Sequence, residues 1–321
     1  MRAVVVPRHG GPEVLTVEDR PELSPGPGQL LVESAAAGVN FIDTYQRAGV
    51  YPVPTPFVPG SEGAGRVAAV GPGVSGVDVG DRVAWMSALG SYASQVLVPA
   101  EAAVPVPDAL PDDVAAGALL QGVTAHYLAH STYPVREGDT VLLHAGAGGV
   151  GLLLTQIVKQ RGGRVISTVS TDEKEALARA AGADEVLRYE GFADRIRALT
   201  GGRGVDVVYD GVGRSTFDDS LGTLRPRGMM VLFGGSSGQV PPIDPQRLNA
   251  GGSLYLTRPK TAEYIATRDE LTWRAGDILG GIAAGTLDLR IGGRYPLGEA
   301  GRAHEDLESR RTTGKLVVLT R

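Results

Sequence analysis

The feature that most constrains this chain is a glycine-rich octet set between an apolar run and a helical pattern. His144-Ala145-Gly146-Ala147-Gly148-Gly149-Val150-Gly151 carries glycine at 146, 148 and 151, a G-x-G-x-x-G spacing. With 46 glycines among 321 residues, the spacing alone says little. Its setting says more. Residues 140–145, TVLLHA, read as a buried strand, and a helical stretch with Leu153, Leu154, Ile157 and Val158 at face spacing begins directly after the octet. A strand, a glycine turn and a helix N-terminus together present free N–H groups and a positive dipole end to phosphates. Gly146 would make the tight turn, Gly148 would let backbone approach a pyrophosphate, and Gly151 would pack helix against strand. An ordinary glycine-rich strand–helix turn is the competing reading.

The downstream rhythm favours a dinucleotide. Apolar runs at 164–169, Glu185–Leu187, 205–209, 229–233 and 253–256 alternate with helical patterns at 172–181, stopping at Gly182, and Phe192–Leu199. Such alternation means βαβ units around a parallel sheet, over residues 119–259. Residues 1–118 differ. They are dense in Val, Gly and Pro, with short runs at 3–6, 29–36, 65–70, 81–84 and 93–98 between strong turns, which suggests a β-rich domain. Beyond it, helical patterns at 261–284 and 299–310 precede a lone strand, 316–319. A single strand cannot form a core, so residues 260–321 are expected to rejoin the first domain.

Composition closes several alternatives. A chain without cysteine has no disulfide, thiolate nucleophile, iron–sulfur cluster or thiolate zinc site. Of the five histidines, at 9, 126, 130, 144 and 304, none lies in a metal-ligand pattern, so no metal is expected. A net charge of −5 leaves no general basic surface for nucleic acid. No apolar run approaches the length of a membrane span or signal peptide, and a cytoplasmic protein is expected.

The second strand decides between the nucleotides. NAD is normally held by an acid about 20 residues past the fingerprint, on the ribose 2′-hydroxyl. Residues 165–170, VISTVS, end without one. Ser170 and Glu173 read instead as a capping box, which puts Lys174 in the first helical turn, where a cation opposes the dipole. A 2′-phosphate would relieve that cost, so NADPH is favoured with Lys174 as its ligand. A solvated lysine offset by Asp172 and Glu173 is the alternative. Later glycine turns, at Gly211 and Gly213 and at Phe233-Gly234-Gly235-Ser236, stand at strand ends where a flat cofactor would touch backbone.

The chain resembles the zinc-independent quinone oxidoreductases, the zeta-crystallin-like group of the medium-chain dehydrogenase/reductase superfamily. The likeness spans essentially its whole length, through Gly38-Val39-Asn40-Phe41-Ile42-Asp43, Pro59-Gly60-Ser61-Glu62-Gly63-Ala64-Gly65, residues 145–151, 208–213 and Tyr255-Leu256-Thr257-Arg258-Pro259. Zinc-dependent relatives have Gly-His-Glu where this chain has Gly60-Ser61-Glu62, so Ser61 replaces a metal ligand. The resemblance implies an α/β protein: a GroES-like β-rich catalytic domain with an inserted Rossmann nucleotide domain and the site in the cleft between them. It carries cofactor contacts onto Asn40, Tyr45, Thr124, Gly148, Val150, Lys174, Tyr189, Phe233 and Arg310, with Arg311 as the alternative to Arg310. Gly146, Gly149, Gly151, Ser170, Gly211, Gly234 and Ser236 join them as cofactor-binding candidates from the motif and strand ends. Asn40, Tyr45 and Tyr51 are the catalytic candidates, with Asn40 and Tyr45 expected near the nicotinamide. A packed aromatic is the plain alternative for Tyr45, and a helix C-terminal cation for Arg310.

The expected activity is an NADPH:quinone oxidoreductase acting on a quinone or other electrophilic small molecule. The alternatives are an NADPH-dependent enone or enal reductase, with Tyr45 or Tyr51 placing a proton, and a nucleotide-regulated RNA-binding or crystallin-like protein. The resemblance also implies a homodimer paired through the strand near 253–257.

Overall fold

The computed structural model describes Met1–Arg321 and divides into two compact units, Met1–Gln121 with Thr267–Arg321, and Gly122–Ala266. Both divisions fall later than the 118/119 and 259/260 read from composition. The first lies inside one continuous helix, Asp112–Tyr127, which no change of composition marks. The second follows residues 260–266, which stay with the middle unit because Tyr264 stacks on Tyr127 at 4.3 Å between ring centroids. The single helix expected over 261–284 is correspondingly two pieces, a 3-10 turn at Thr261–Tyr264 and an α-helix at Arg268–Ala283 capped by the Thr267 hydroxyl.

The middle unit is built on six parallel strands in the spatial order Glu185–Leu187, Arg164–Thr168, Thr140–His144, Val205–Asp210, Leu224–Leu232, Tyr255–Thr257. Thr140–His144 and Val205–Asp210 are buried at every position, which is why they read as unbroken runs rather than alternations. Leu142, Ile166, Phe192, Ile196, Val208, Phe217 and Met230 form the core beside the sheet. The order of strands reverses between Thr140–His144 and Val205–Asp210, and in open α/β sheets the ligand crevice lies outside the carboxyl ends at that reversal. The glycine octet leaves the first of these two strands and Gly211 the second.

The other unit carries a seven-stranded sheet around the eleven-residue strand Gln29–Val39. Glu62–Val70, Gln95–Pro99 and Lys315–Leu319 all pair antiparallel with it, the last through Leu316 to Val39 and Leu319 to Ala36. Arg82–Trp85 and Val104–Pro105 extend one side, Ile291–Pro296 the other. Sequence reading missed Ile291–Pro296, whose Gly292-Gly293 pair breaks the apolar alternation. Its core holds Leu30, Val32, Val67, Trp85 and Val98, with the indole N–H of Trp85 donating to Ser91 Oγ at 2.8 Å.

Candidate functional site

The octet folds as a phosphate-binding turn requires. Gly148, extended at φ −77° and ψ 170°, is the N-cap of the helix Gly149–Gln160 and supplies no side chain to cover the N–H groups of the first turn. A Cβ on Gly146 would stand 1.8 Å from Ser167 Oγ of the neighbouring strand, and one on Gly151 2.4 Å from the Ala145 carbonyl. These two glycines are therefore required by packing, Gly146 between turn and strand, Gly151 between helix and turn. At Gly148 the only atom within reach of a Cβ would be the Ala145 carbonyl oxygen, at 3.2 Å, so a side chain there would press on the turn less than at Gly146 or Gly151. Gly149 and Val150, half-buried, follow it. The arrangement fits the pyrophosphate of a dinucleotide.

Beneath the turn lies a buried polar chain that sequence reading did not single out. The His144 imidazole meets Thr168 Oγ1 and Ser220 Oγ, each at 2.7 Å. Ser220 donates its proton to the Thr216 carbonyl, so Nε2 of His144 carries the hydrogen and Nδ1 accepts from Thr168. Burial holds His144 below its usual pKa, against the opposing pull of Asp210. Thr216 Oγ1 donates to Asp210 Oδ2, whose other oxygen accepts from the N–H groups of Val212 and Gly213. The chain thus ties together the carboxyl ends of three strands. A lone histidine in an apolar strand carries no sequence signal of such a role.

At the next corner the capping residue is Thr171, not Ser170. Thr171 is extended, its hydroxyl accepts the Lys174 N–H at 3.3 Å, and the helix runs Asp172–Ala180. Ser170 is left exposed at the strand end, and Lys174 lies in the first turn. Tyr189 faces the octet: its hydroxyl accepts from the Ala145 N–H at 3.2 Å, and its ring lies over His144 with centroids 6.1 Å apart. Gly211 and Phe233 pack together, since a Cβ on Gly211 would meet the Phe233 ring at 2.9 Å. Gly234 lies on Gly211 in the same way, and the Ser236 N–H donates to the Gly211 carbonyl at 3.2 Å. Thr124 is buried in the helix Asp112–Tyr127. Within this unit the octet, Ser170, Lys174, Tyr189, Gly211, Phe233, Gly234 and Ser236 all sit at the carboxyl ends of the sheet.

In the other unit Asn40 starts the helix Phe41–Arg47, where its N–H donates to Asp43 Oδ2. Its side chain is internally engaged: Nδ2 donates to Glu62 Oε2 at 2.9 Å and Oδ1 accepts from Lys315 Nζ at 2.7 Å. Glu62 and Lys315, both wholly buried, pair at 2.6 Å, and Glu62 Oε1 also accepts the Leu120 N–H. Gly38 makes room, because a Cβ there would lie 2.2 Å from Glu62 Oε2. Tyr45 is half-buried between Phe41 and Tyr51, edge-on to the exposed Tyr51 with centroids 5.5 Å apart. The Ser61 carbonyl accepts from the Ala88 N–H. Arg310 is exposed in the left-handed region at φ +57°, just past the helix Ala300–Glu308, while Arg311 bonds the Ser309 hydroxyl.

That C-terminal helix is fastened to Phe41–Arg47 by a second buried chain. Arg47 donates to His304 Nδ1 at 3.0 Å and pairs with Glu308 at 2.8 Å. His304 Nε2 therefore bears the proton and donates to Tyr92, which donates to Asp43 Oδ2, both at 3.1 Å. Burial raises Asp43 to about 7, and burial with the nearby Arg47 lowers His304 to about 3. His126 and His130 stack at 4.0 Å, and no three His, Cys, Asp or Glu side chains stand together as metal ligands.

Residues 26–108 match the alcohol dehydrogenase GroES-like domain family and residues 149–264 the zinc-binding dehydrogenase family. A quinone oxidoreductase of Pseudomonas aeruginosa is 45% identical over 97% of this chain and 97% of its own length. A 2-haloacrylate reductase of a Burkholderia species is 42% identical over 99% and 98%. A mycobacterial protein solved in complex with NADPH superposes with a TM-score of 0.97 at 54% identity, covering 99% of this chain and 100% of that one. The Escherichia coli quinone oxidoreductase complexed with NADPH gives 0.97 at 42%, with the same coverage.

Proposed function

As the chain belongs to the zinc-independent quinone oxidoreductases of the medium-chain dehydrogenase/reductase superfamily, we infer that it reduces quinones with NADPH. The observation that carries this is the half-buried glycine turn 148–150 at the sheet's reversal, whose helix N-terminus has no side-chain cap, with Lys174 and Tyr189 at the adjoining strand ends. Bound NADPH supplies hydride from its nicotinamide. The chain's own residues supply binding and orientation. First-turn N–H groups of Gly149–Gln160 receive the pyrophosphate, and Lys174 and Tyr189 take the 2′-phosphate end. Gly211, Phe233, Gly234 and Ser236 offer backbone along the cofactor, and Thr124, Asn40, Tyr45 and Arg310 are assigned to it by family resemblance. A quinone is electrophilic already, and the proton that balances its reduction to hydroquinone comes from solvent. Tyr45 and Tyr51 are the candidates for placing the acceptor.

NADPH oxidation across a panel of benzo- and naphthoquinones tests this, and absence of turnover with every one refutes it. The Burkholderia relative keeps a second acceptor class in view. Faster consumption of an activated alkene than of any quinone would select that class, with Tyr51→Phe slowing it if Tyr51 places the proton.

The protein is further proposed to be a cytoplasmic homodimer. No helix is long and apolar enough to cross a membrane. The strand Tyr255–Thr257 pairs on one side only and exposes Tyr255 at 58%, an edge suited to pairing with its copy. Elution at the 33.3 kDa monomer mass would rule the dimer out.

A further inference from the structure

We propose that Arg188 is a second selector of the 2′-phosphate, held ready at that corner by carboxylates of the adjoining helix. This rests on the reading that Lys174 and Tyr189 receive the phosphate, and it adds a residue that neither the fingerprint nor the family motifs indicated.

Arg188 directly precedes Tyr189 and follows the strand Glu185–Leu187. The Val169 N–H donates to the Leu187 carbonyl, so residues 187–189 run beside 169–171 and reach the start of the helix Asp172–Ala180. There Nη2 of Arg188 pairs with Asp172 Oδ1 and, at 3.1 Å, with Glu175 Oε2. Nη1 is buried and has no hydrogen-bond partner. The guanidinium is thus oriented but only half used, next to the residue whose hydroxyl bonds the glycine turn.

Charge explains why the corner needs it. The first turn carries Asp172, Glu173 and Glu175 against Lys174 alone. A dianionic phosphate would approach an excess of negative charge that one lysine and the helix dipole do not offset. Arg188 neutralises part of that excess and brings planar N–H donors suited to phosphate oxygens. Asp172 is fully exposed, so exchanging it for a phosphate oxygen uncovers no buried charge. NADH, lacking the phosphate, gains nothing from the exchange. Arg188 therefore favours NADPH over NADH by adding affinity for the phosphorylated nucleotide alone.

The test measures Kd for NADPH, NADH and 2′,5′-ADP by titration calorimetry on the full chain, so that turnover is not the readout. Arg188→Gln should weaken NADPH and 2′,5′-ADP about tenfold and NADH less than about twofold, the scale of one lost charge-assisted bond. Arg188→Lys should restore part of the preference, and Asp172→Asn should tighten NADPH several-fold by freeing the guanidinium. An unchanged NADPH/NADH ratio in Arg188→Gln, with Lys174→Ala still lowering that ratio, overturns the proposal alone. If Lys174→Ala also leaves the ratio unchanged, the phosphate does not bind at this corner, and both readings fail.

Discussion

Replacing His304 by glutamine should change how the stability of the β-rich unit depends on pH, and the slope can be stated in advance. His304 and Asp43 are joined through Tyr92 in one buried chain, and their linkages have opposite sign. His304 is held at about 3 in the fold against roughly 6.5 unfolded. Its contribution is present above the unfolded value and is lost as pH falls from about 6.5 toward 3, in all about 5 kcal/mol. Asp43 is held at about 7 against roughly 3.9 unfolded. Its contribution is present below the unfolded value and is lost as pH rises toward 7, in all about 4 kcal/mol. Between about pH 4 and 6.5 the two slopes, each about 1.4 kcal/mol per pH unit, cancel. The side-chain amide of the His304→Gln variant would keep neutral hydrogen-bond contacts and remove one slope. Relative to wild type, the variant should then lose about 2 kcal/mol on going from pH 4.5 to 6.5. Asp43→Asn should show the mirror image. A fixed cost of the substitution shifts the whole curve and leaves the slope untouched, so slope is the quantity to read. Urea unfolding followed by tryptophan emission is the assay, because Trp85 and Trp273 both belong to the unit that holds the chain. Parallel stability curves for wild type and His304→Gln would refute the reasoning.

Two other predictions concern groups wholly inside one unit. Lys315→Met strands the carboxylate of Glu62 and should cost about 3–5 kcal/mol in urea unfolding, with Lys315→Met/Glu62→Gln regaining most of it. Gly151→Ala places a methyl group against the Ala145 carbonyl and should raise the NADPH Kd by more than about tenfold, whereas Gly146→Ala, blocked by the Ser167 hydroxyl, should lower Tm as well.

The sequence was most legible where periodicity and chain direction agree. The central strands of the parallel sheet are buried at every position, and Glu185–Leu187 and Phe192–Leu199 have the bounds their patterns indicate. The octet was legible because glycine there answers two contacts a Cβ would break. The cap was displaced from Ser170 to Thr171 because two adjacent hydroxyl residues give the same local signal, and only backbone angles choose between them. The engagement of Asn40 was hidden for another reason: its partners are Glu62 and Lys315, 22 and 275 positions away. His144, His304 and Asp43 were hidden likewise. A buried polar chain is specified by residues distant in sequence, with no period to reveal it. Arg188 could have been noticed as a cation beside Tyr189, but only its ion pairs show where the guanidinium turns.

The pairing of Lys315–Leu319 with Gln29–Val39 has a consequence for synthesis. A ribosome releases the strand Gln29–Val39 long before its neighbour exists, and the whole Gly122–Ala266 unit emerges in between. That inserted unit is self-contained and can fold while the earlier sheet still waits with one side unpaired and Glu62 without its ammonium. Its folding draws the two distant segments toward each other and shortens the loop that must close. A chain cut short by even the last seven residues would keep its nucleotide unit and lose the closure of the other. Quality control should therefore meet truncated products as nucleotide-binding species with a protease-sensitive N-terminal third.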